Sequence, residues 1–212
     1  MAQRISSLYR LVTFPRVYAG LQGLLGASNG RQRFLDDIVR SRPGMEVLDV
    51  GCGPASLFPY LVDTHYTGID LNPLSIEHAR QRYGARGRFL VGDVARGLPD
   101  DCADFDLIVV SALLHHLDDI QAQTLFSRLA GLLKPDGRIV TIDNVWLPGQ
   151  HFIAKTANRM DSGLNVRTAE QYTSLVSRLP LHVEQRIYRD LLRIPYDHFC
   201  MTLTHQPTTS GV

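Results

Sequence analysis

The run Val47-Leu48-Asp49-Val50-Gly51-Cys52-Gly53-Pro54-Ala55-Ser56 holds the residues best suited to chemistry. An apolar β-like stretch leads into Gly51 and Gly53, then into a helical pattern. Glycines at such a turn admit tight backbone conformations and let the main chain approach a ligand. Several cofactors are bound by turns of this kind, so the turn alone selects none of them. Asp70 ends the next β-like stretch, where a carboxylate can accept from both hydroxyls of a ribose. Asp93, in Leu90-Val91-Gly92-Asp93-Val94, is placed to accept from an exocyclic amine. A further apolar stretch ends in Ser111-Ala112-Leu113-Leu114-His115-His116. Adjacent histidines point different ways, which predicts one on the surface and one packed near a ligand. His116 and Asp143 are the candidate proton acceptors. Asp49 either ties backbone amides in the turn or contacts the ligand, and Cys52 reads as a small filler.

These residues need a scaffold that brings strand ends together. Residues 44–144 alternate β-like and helical patterns: strands over Met45–Val50, Tyr66–Asp70, Gly87–Val91, Phe105–Val110 and Arg138–Asp143. Helices are expected over Ser56–Val62, over Leu74–Tyr83 after the Asn72-Pro73 cap, and from Asp118 or Asp119 to Leu133. Lys134-Pro135-Asp136-Gly137 is expected to stop the last of them. Regular alternation predicts a doubly wound parallel sheet, which binds ligands at the carboxyl ends of its strands. Residues 1–43 are rich in Arg and aromatic side chains, with a helix expected over Arg33–Arg40, and read as a helical lid. Trp146–Arg167 reads as irregular, and residues 145–180 as an insertion on the substrate side. Thr168 and Gln171 form a capping box for a helix to about Arg178. Val183–Tyr188 and His198–Thr204 are expected to pair antiparallel at one sheet edge, with residues 205–212 a flexible tail.

Taken together, the Asp-x-Gly-x-Gly turn, Asp70, the Gly92-Asp93 pair, the Phe105–Leu117 segment and Leu132–Arg138 resemble the class I S-adenosylmethionine (SAM)-dependent methyltransferases of small-molecule type. The resemblance covers residues 45–144 and implies a Rossmann-like α/β fold. That fold is a mostly parallel seven-stranded sheet with an antiparallel C-terminal strand pair, and the methyltransferase domain is expected over residues 44–204. It implies that Gly51 and Gly53, with Asp49 beside them, lie against the methionine part of SAM. Asp70 would hold the ribose, Leu71 would flank the adenine, Asp93 and Val94 would recognise its amino edge, and Ser111 and Ala112 would line the methionine side. One departure is visible: the third glycine common in the pattern is Ala55 here. Substrate contacts are expected from Tyr9, Tyr18, Trp146, Arg167 and His198. Arg167 would suit a carboxylate or phosphate, or would pair with Asp161 instead.

Composition narrows the alternatives. The chain has 212 residues and a net charge of +1, which disfavours gripping a nucleic-acid backbone. Its three cysteines form no CxxC, and His65, His78, His151 and His182 are scattered, so no metal site is expected. Met1–Arg16 lacks the apolar core of a signal peptide, and no apolar run has transmembrane length. A cytoplasmic monomer or homodimer acting on a small molecule, with no membrane insertion, is the expectation. The competing readings are a non-catalytic SAM-binding scaffold and a methyltransferase acting on a macromolecule. A nicotinamide oxidoreductase is disfavoured because its fingerprint wants Gly or Ala at position 56, which is Ser56.

Overall fold

The computed structural model describes residues 27–94, 96–97, 102, 104–161 and 163–206. Its strands are β1 (Glu46–Val50), β2 (His65–Asp70), β3 (Arg88–Val91), β4 (Phe105–Ser111), β5 (Leu133–Trp146), β6 (Arg167–Thr168), β7 (Leu181–Tyr188) and β8 (His198–His205). Seven of them form a sheet in the order β3-β2-β1-β4-β5-β8-β7, and the two-residue β6 pairs with the end of β5. Strands β1 to β5 are mutually parallel, and β8 runs antiparallel to both neighbours. The expected mostly parallel seven-stranded sheet with an antiparallel C-terminal strand pair is therefore observed, with β6 as an addition.

The helices are α1 (Ala27–Phe34), α2 (Pro73–Tyr83), α3 (Asp119–Gly131), α4 (Phe152–Met160) and α5 (Ala169–Ser174). Local chemistry starts three of them. Asn72 Oδ1 accepts from the Leu74 N–H at 3.0 Å, and Pro73 occupies the first turn. Asp118 with Gln121, and Thr168 with Gln171, close reciprocal capping boxes for α3 and α5. Side-chain parity then divides the core between the two faces of the sheet. Leu48, Val50, Ile108, Val110 and Phe199 pack with Phe126, Leu129 and Tyr172 on one face. Val47, Leu107, Val109, Val140 and Cys200 pack on the other with Phe34, Leu35, Ile38 and Val39. Cys52 and Cys200 are buried thiols on this second face, in keeping with a filler role.

Several expected elements are different. The helix expected over Ser56–Val62 is a single tight turn, Phe58–Tyr60, with Pro59 inside it. Helix α1 ends at Phe34 and opens into one wide turn, closed by the Arg40 N–H on the Leu35 carbonyl at 2.7 Å. Helix α5 ends at Ser174, short of Arg178. Strand β5 begins at Leu133, not Arg138, because Leu133 pairs with Phe105 before a register shift resumes the ladder at Arg138. The stretch read as irregular contains α4, capped by His151. Residues 1–26, including Tyr9 and Tyr18, and residues 207–212 of the expected tail lie outside the described residues.

Candidate active site

The site is built where the glycine turn leaves β1. Gly51 and Gly53 have φ of 71° and 54°, the left-handed region that L side chains avoid. The Gly51 and Cys52 N–H groups donate to the Ile69 carbonyl at 2.8 and 3.1 Å. The Gly53 N–H donates to Asp70 Oδ2 at 2.8 Å, and the Asn72 N–H to Asp70 Oδ1 at 2.8 Å. Asp70 thus pins the turn while each carboxylate oxygen keeps accepting capacity. Ala55, where the third glycine would stand, is fully buried with φ of 56°. An alanine there bears a left-handed cost of about 1–2 kcal/mol.

Parity brings a row of side chains to the carboxyl edge on the α1 face: Asp49 of β1, Ser111 of β4, Ile142 of β5 and His198 of β8. All four line one cavity of about 400 Å³, together with Gly51, Gly53 and Ala112. Arg31 and Phe34 of α1 and Leu191 and Leu192 of the β7–β8 connection complete its walls. Ala112 also has a positive φ of 52°, held by its N–H on the Ile142 carbonyl at 2.8 Å. Asp49 is buried and accepts from the Tyr66 hydroxyl at 2.7 Å. Burial pushes its carboxyl up to about 7, the Tyr66 bond opposes this, and the Asp70 charge adds to it.

Most expected cofactor residues therefore meet: Asp49, Gly51, Gly53, Ser111 and Ala112 share the cavity wall, and Asp70 joins through Gly53. Leu71, Asp93 and Val94 lie beyond that wall, just past the ends of β2 and β3. Leu71 is 54% exposed, whereas the Val94 side chain is buried in the core and leaves only its main chain for recognition. An open turn at Gly53, where a Cβ would meet nothing within 4 Å, and the Asp70 acceptors fit the methionine and ribose parts of SAM. The walls supplied by Arg31, Phe34, Leu191 and Leu192 were not expected. Only the Leu191-Leu192 pair, an apolar dipeptide between two strands, gave a sequence signal.

Three expectations are corrected. Asp143 faces away from the cavity, because it lies one residue beyond Ile142 on β5. Its Oδ1 bonds His115 Nδ1 at 2.7 Å, so the buried histidine, not the exposed His116, is its partner. Arg167 is 5% exposed, and its guanidinium donates to the carbonyls of Leu114, Leu117 and Asn165 and to Asp119 Oδ1 at 2.7–3.0 Å. Its donors are committed to holding the loop after β4, and Asp119 rather than Asp161 is its carboxylate. Trp146 is half-buried at the end of β5, paired with Thr168, and is not on the cavity wall.

Asp161 instead lies 3.4 Å from His115 Nε2. Gly163 packs so closely that a Cβ there would strike the His115 ring and its carbonyl. Burial pulls the His115 imidazolium down, but Asp143 and Asp161 more than offset this and raise it above its ordinary value. The protonated ring between two carboxylates is stabilising below the ordinary histidine range, and that contribution disappears as pH rises through the raised value. Urea titrations of His115→Gln should therefore show a flatter loss of stability than wild type as pH rises from the ordinary histidine range upward. An unchanged slope would show that the ring carries no extra proton. Among the described residues, no three His, Cys, Asp or Glu side chains gather as a metal would require, and no helix is long and apolar enough to cross a membrane.

Comparison with known proteins bears on this geometry. Residues 47–137 match the family model described as a methyltransferase domain. The ribosomal protein L11 methyltransferase of Burkholderia mallei is 41% identical over 103 residues, 46% of this chain and 31% of that protein. An uncharacterized methyltransferase of Synechocystis is 31% identical over 137 residues, covering 61% of this chain and 63% of that protein. The chain thus spans about a third of the length of the ribosomal relative and under two thirds of the Synechocystis one. Among solved structures, a TehB-like SAM-dependent methyltransferase from Corynebacterium glutamicum superposes with a TM-score of 0.63 at 21% identity, covering 90% of this chain and 97% of that one.

Proposed function

We propose that the chain, whose residues 47–137 match a methyltransferase domain, is a class I SAM-dependent methyltransferase that transfers a methyl group to an oxygen, nitrogen or carboxylate of a small molecule. The observation that carries the reading is the single cavity running from the glycine turn past Ser111 and Ala112 to His198, walled by α1 and Leu191-Leu192. Its volume falls within the range of small-ligand sites. Bound SAM supplies a methyl group already activated on a sulfonium. The protein's part is position and desolvation, worth on the order of 7–11 kcal/mol when reacting atoms are held in line. In this reading Asp70 accepts the ribose hydroxyls, the open Gly53 backbone admits the methionine chain, and Asp49 offers a carboxylate to its cationic end. Arg31, Phe34, Leu191, Leu192 and His198 would enclose the acceptor. Leu71, Asp93 and Val94 are assigned to the adenine.

A macromolecular acceptor is the second reading, favoured only by the ribosomal relative. That match is confined to 31% of the relative's length, so most of that protein has no counterpart in it. The deciding experiment follows SAM conversion to S-adenosylhomocysteine (SAH) by mass spectrometry against pooled metabolites and, separately, ribosomal proteins. Turnover with the metabolite pool is expected. Turnover with ribosomal proteins alone would establish the second reading, and SAM binding without turnover on either would point to a scaffold.

The cofactor assignment has its own check. Asp70→Ala removes both the proposed ribose acceptor and the anchor of the Gly53 N–H. Calorimetry should show SAM binding weakened by about 1–3 kcal/mol. Full affinity in a folded Asp70→Ala protein would remove the ribose from β2.

A further inference from the structure

We propose that the outer edge of β7 pairs with β7 of a second copy of this chain, antiparallel about Gln185, so that the two sheets join into one. Strand β7 ends the sheet, and β8 is its only partner among the described residues. The opposite end of the sheet is β3, a strand of 4 residues, whereas β7 has 8 and keeps an unbroken register with β8. A long, regular edge attracts another strand, and folds blunt such edges with Pro, Lys, a bulge or a covering segment. Residues 181–188 contain neither Pro nor Lys, and His182, Glu184, Gln185, Arg186 and Ile187 are exposed. The neighbouring strand shows which main-chain groups are left over. The Met201 N–H turns toward β5, where it donates to Thr141 Oγ1 at 3.2 Å. Main-chain groups alternate sides along a strand, so those of Cys200 and Thr202 face β7 and meet Arg186 and Glu184. The N–H and C=O groups of Val183, Gln185 and Ile187 therefore point out of the sheet.

The strand is its own complement in one register. With Gln185 opposite Gln185 of the second copy, Val183 falls opposite Ile187 and Glu184 opposite Arg186, each pair occurring twice about a two-fold axis. The outward-facing residues then form the main-chain-bonded pairs. Glu184 and Arg186 take the narrower positions between them, where facing side chains approach more closely. Faces also match across the junction. Val183 packs against the core on the α3 side of the sheet, and Ile187, 41% exposed, would continue that apolar surface. Glu184 and Arg186 lie on the other face, where Arg186 is 3.7 Å from Asp37 of its own chain. Moving the axis by one residue keeps these faces but sets Glu184 against Glu184, or Arg186 against Arg186. Like charges directly opposite are unfavourable, so the pattern selects the axis at Gln185.

Sedimentation equilibrium of the full chain should give twice the mass of one chain. Glu184→Arg sets Arg against Arg at both charged pairs, and Arg186→Glu sets Glu against Glu, so each variant alone should sediment at the mass of one chain. The contact of Arg186 with Asp37 lies at the surface, so its loss leaves the fold in place, which circular dichroism checks. Mixing the two variants restores opposite charges at both pairs, and the mixture should recover the doubled mass. Amide hydrogen exchange locates the contact. The Val183, Gln185 and Ile187 amides should be protected in the wild type and lose that protection in Glu184→Arg, while the His182 and Arg186 amides, bonded to β8, stay protected in both. A wild-type chain of single mass, a dimer that survives Glu184→Arg, a mixture that stays at single mass, or a dimer whose Val183, Gln185 and Ile187 amides exchange freely would overturn the proposal. None of these outcomes depends on methyl transfer, so the two readings fail separately.

Discussion

Arg167→Ala will lower the unfolding free energy by about 1–3 kcal/mol, the usual cost of leaving buried acceptors unpaired, because the Asp119 carboxylate it also holds is largely exposed. The side chain ties the carbonyls of Leu114 and Leu117, in the loop after β4, to the segment that leads into α5. Its guanidinium also lies 5.7 Å from the Tyr172 ring centroid. Removing it strands buried carbonyls and opens a cavity beside Tyr172. Arg167→Lys should recover only part of the loss, because an ammonium cannot reproduce the planar fork that serves several acceptors at once. Urea midpoints at neutral pH measure both variants. If Arg167→Ala unfolds at the wild-type midpoint yet loses turnover, the residue belongs to substrate binding after all.

Asp49→Asn should stabilise the ligand-free protein at alkaline pH and leave it unchanged under acid conditions. The Asp49 carboxyl is raised to about 7 in the folded chain, against an ordinary 3.8, chiefly by burial. The folded state therefore holds a proton that the unfolded state releases, and stability declines as pH rises between those two values. Between pH 5 and pH 8 the gap between variant and wild type should widen by roughly 2–3 kcal/mol. The same proton links to the proposed cofactor. A cation placed beside Asp49 favours its ionised form, so wild-type SAM affinity should rise as pH increases through 7 and proton release should accompany binding. Asp49→Asn should bind SAM more weakly and without that pH dependence. Parallel stability curves for variant and wild type would show that Asp49 is ionised throughout.

The parts of the molecule that were legible in the sequence have local causes. Asn72-Pro73 and the Thr168–Gln171 box act within one turn, and both start helices where the spacing predicts. Val47–Gly53 is a strand and turn whose glycines satisfy their own backbone demands, so the glycine-turn wall of the cavity was readable. What was missed depends on partners far along the chain. Arg167 is committed to acceptors some fifty residues away, which no local pattern announces. Helix α4 is short and buries only Ala154 and Asn158, with Phe152 and Met160 left exposed, and His151 rather than a hydroxyl or acidic residue caps it. Of the histidine pair, expected as one on the surface and one packed near a ligand, His116 is exposed, but the buried His115 is not on the cavity wall. The bond from His115 to Asp143 was not foreseen, because it joins residues 28 positions apart in sequence. Ala55 shows the reverse case, a departure from the family pattern that was visible in sequence while its left-handed backbone was not.

The order β5-β8-β7 has a consequence for how the chain is made. The ribosome delivers β7 before β8, yet β7 pairs with no described strand other than β8. A nascent chain that has emerged only as far as Tyr188 therefore has a strand with no described place in the sheet, and β5 with one flank bare. The later segment must enter between them, and only then does His198 arrive opposite the glycine turn. Five parallel strands and the Asp70 anchor precede this in the chain, so the glycine-turn side of the cavity is synthesised before the side that His198 completes. A ribosome-stalled chain ending within the β7–β8 connection would carry the glycine turn and Asp70 but lack the His198 side of the cavity.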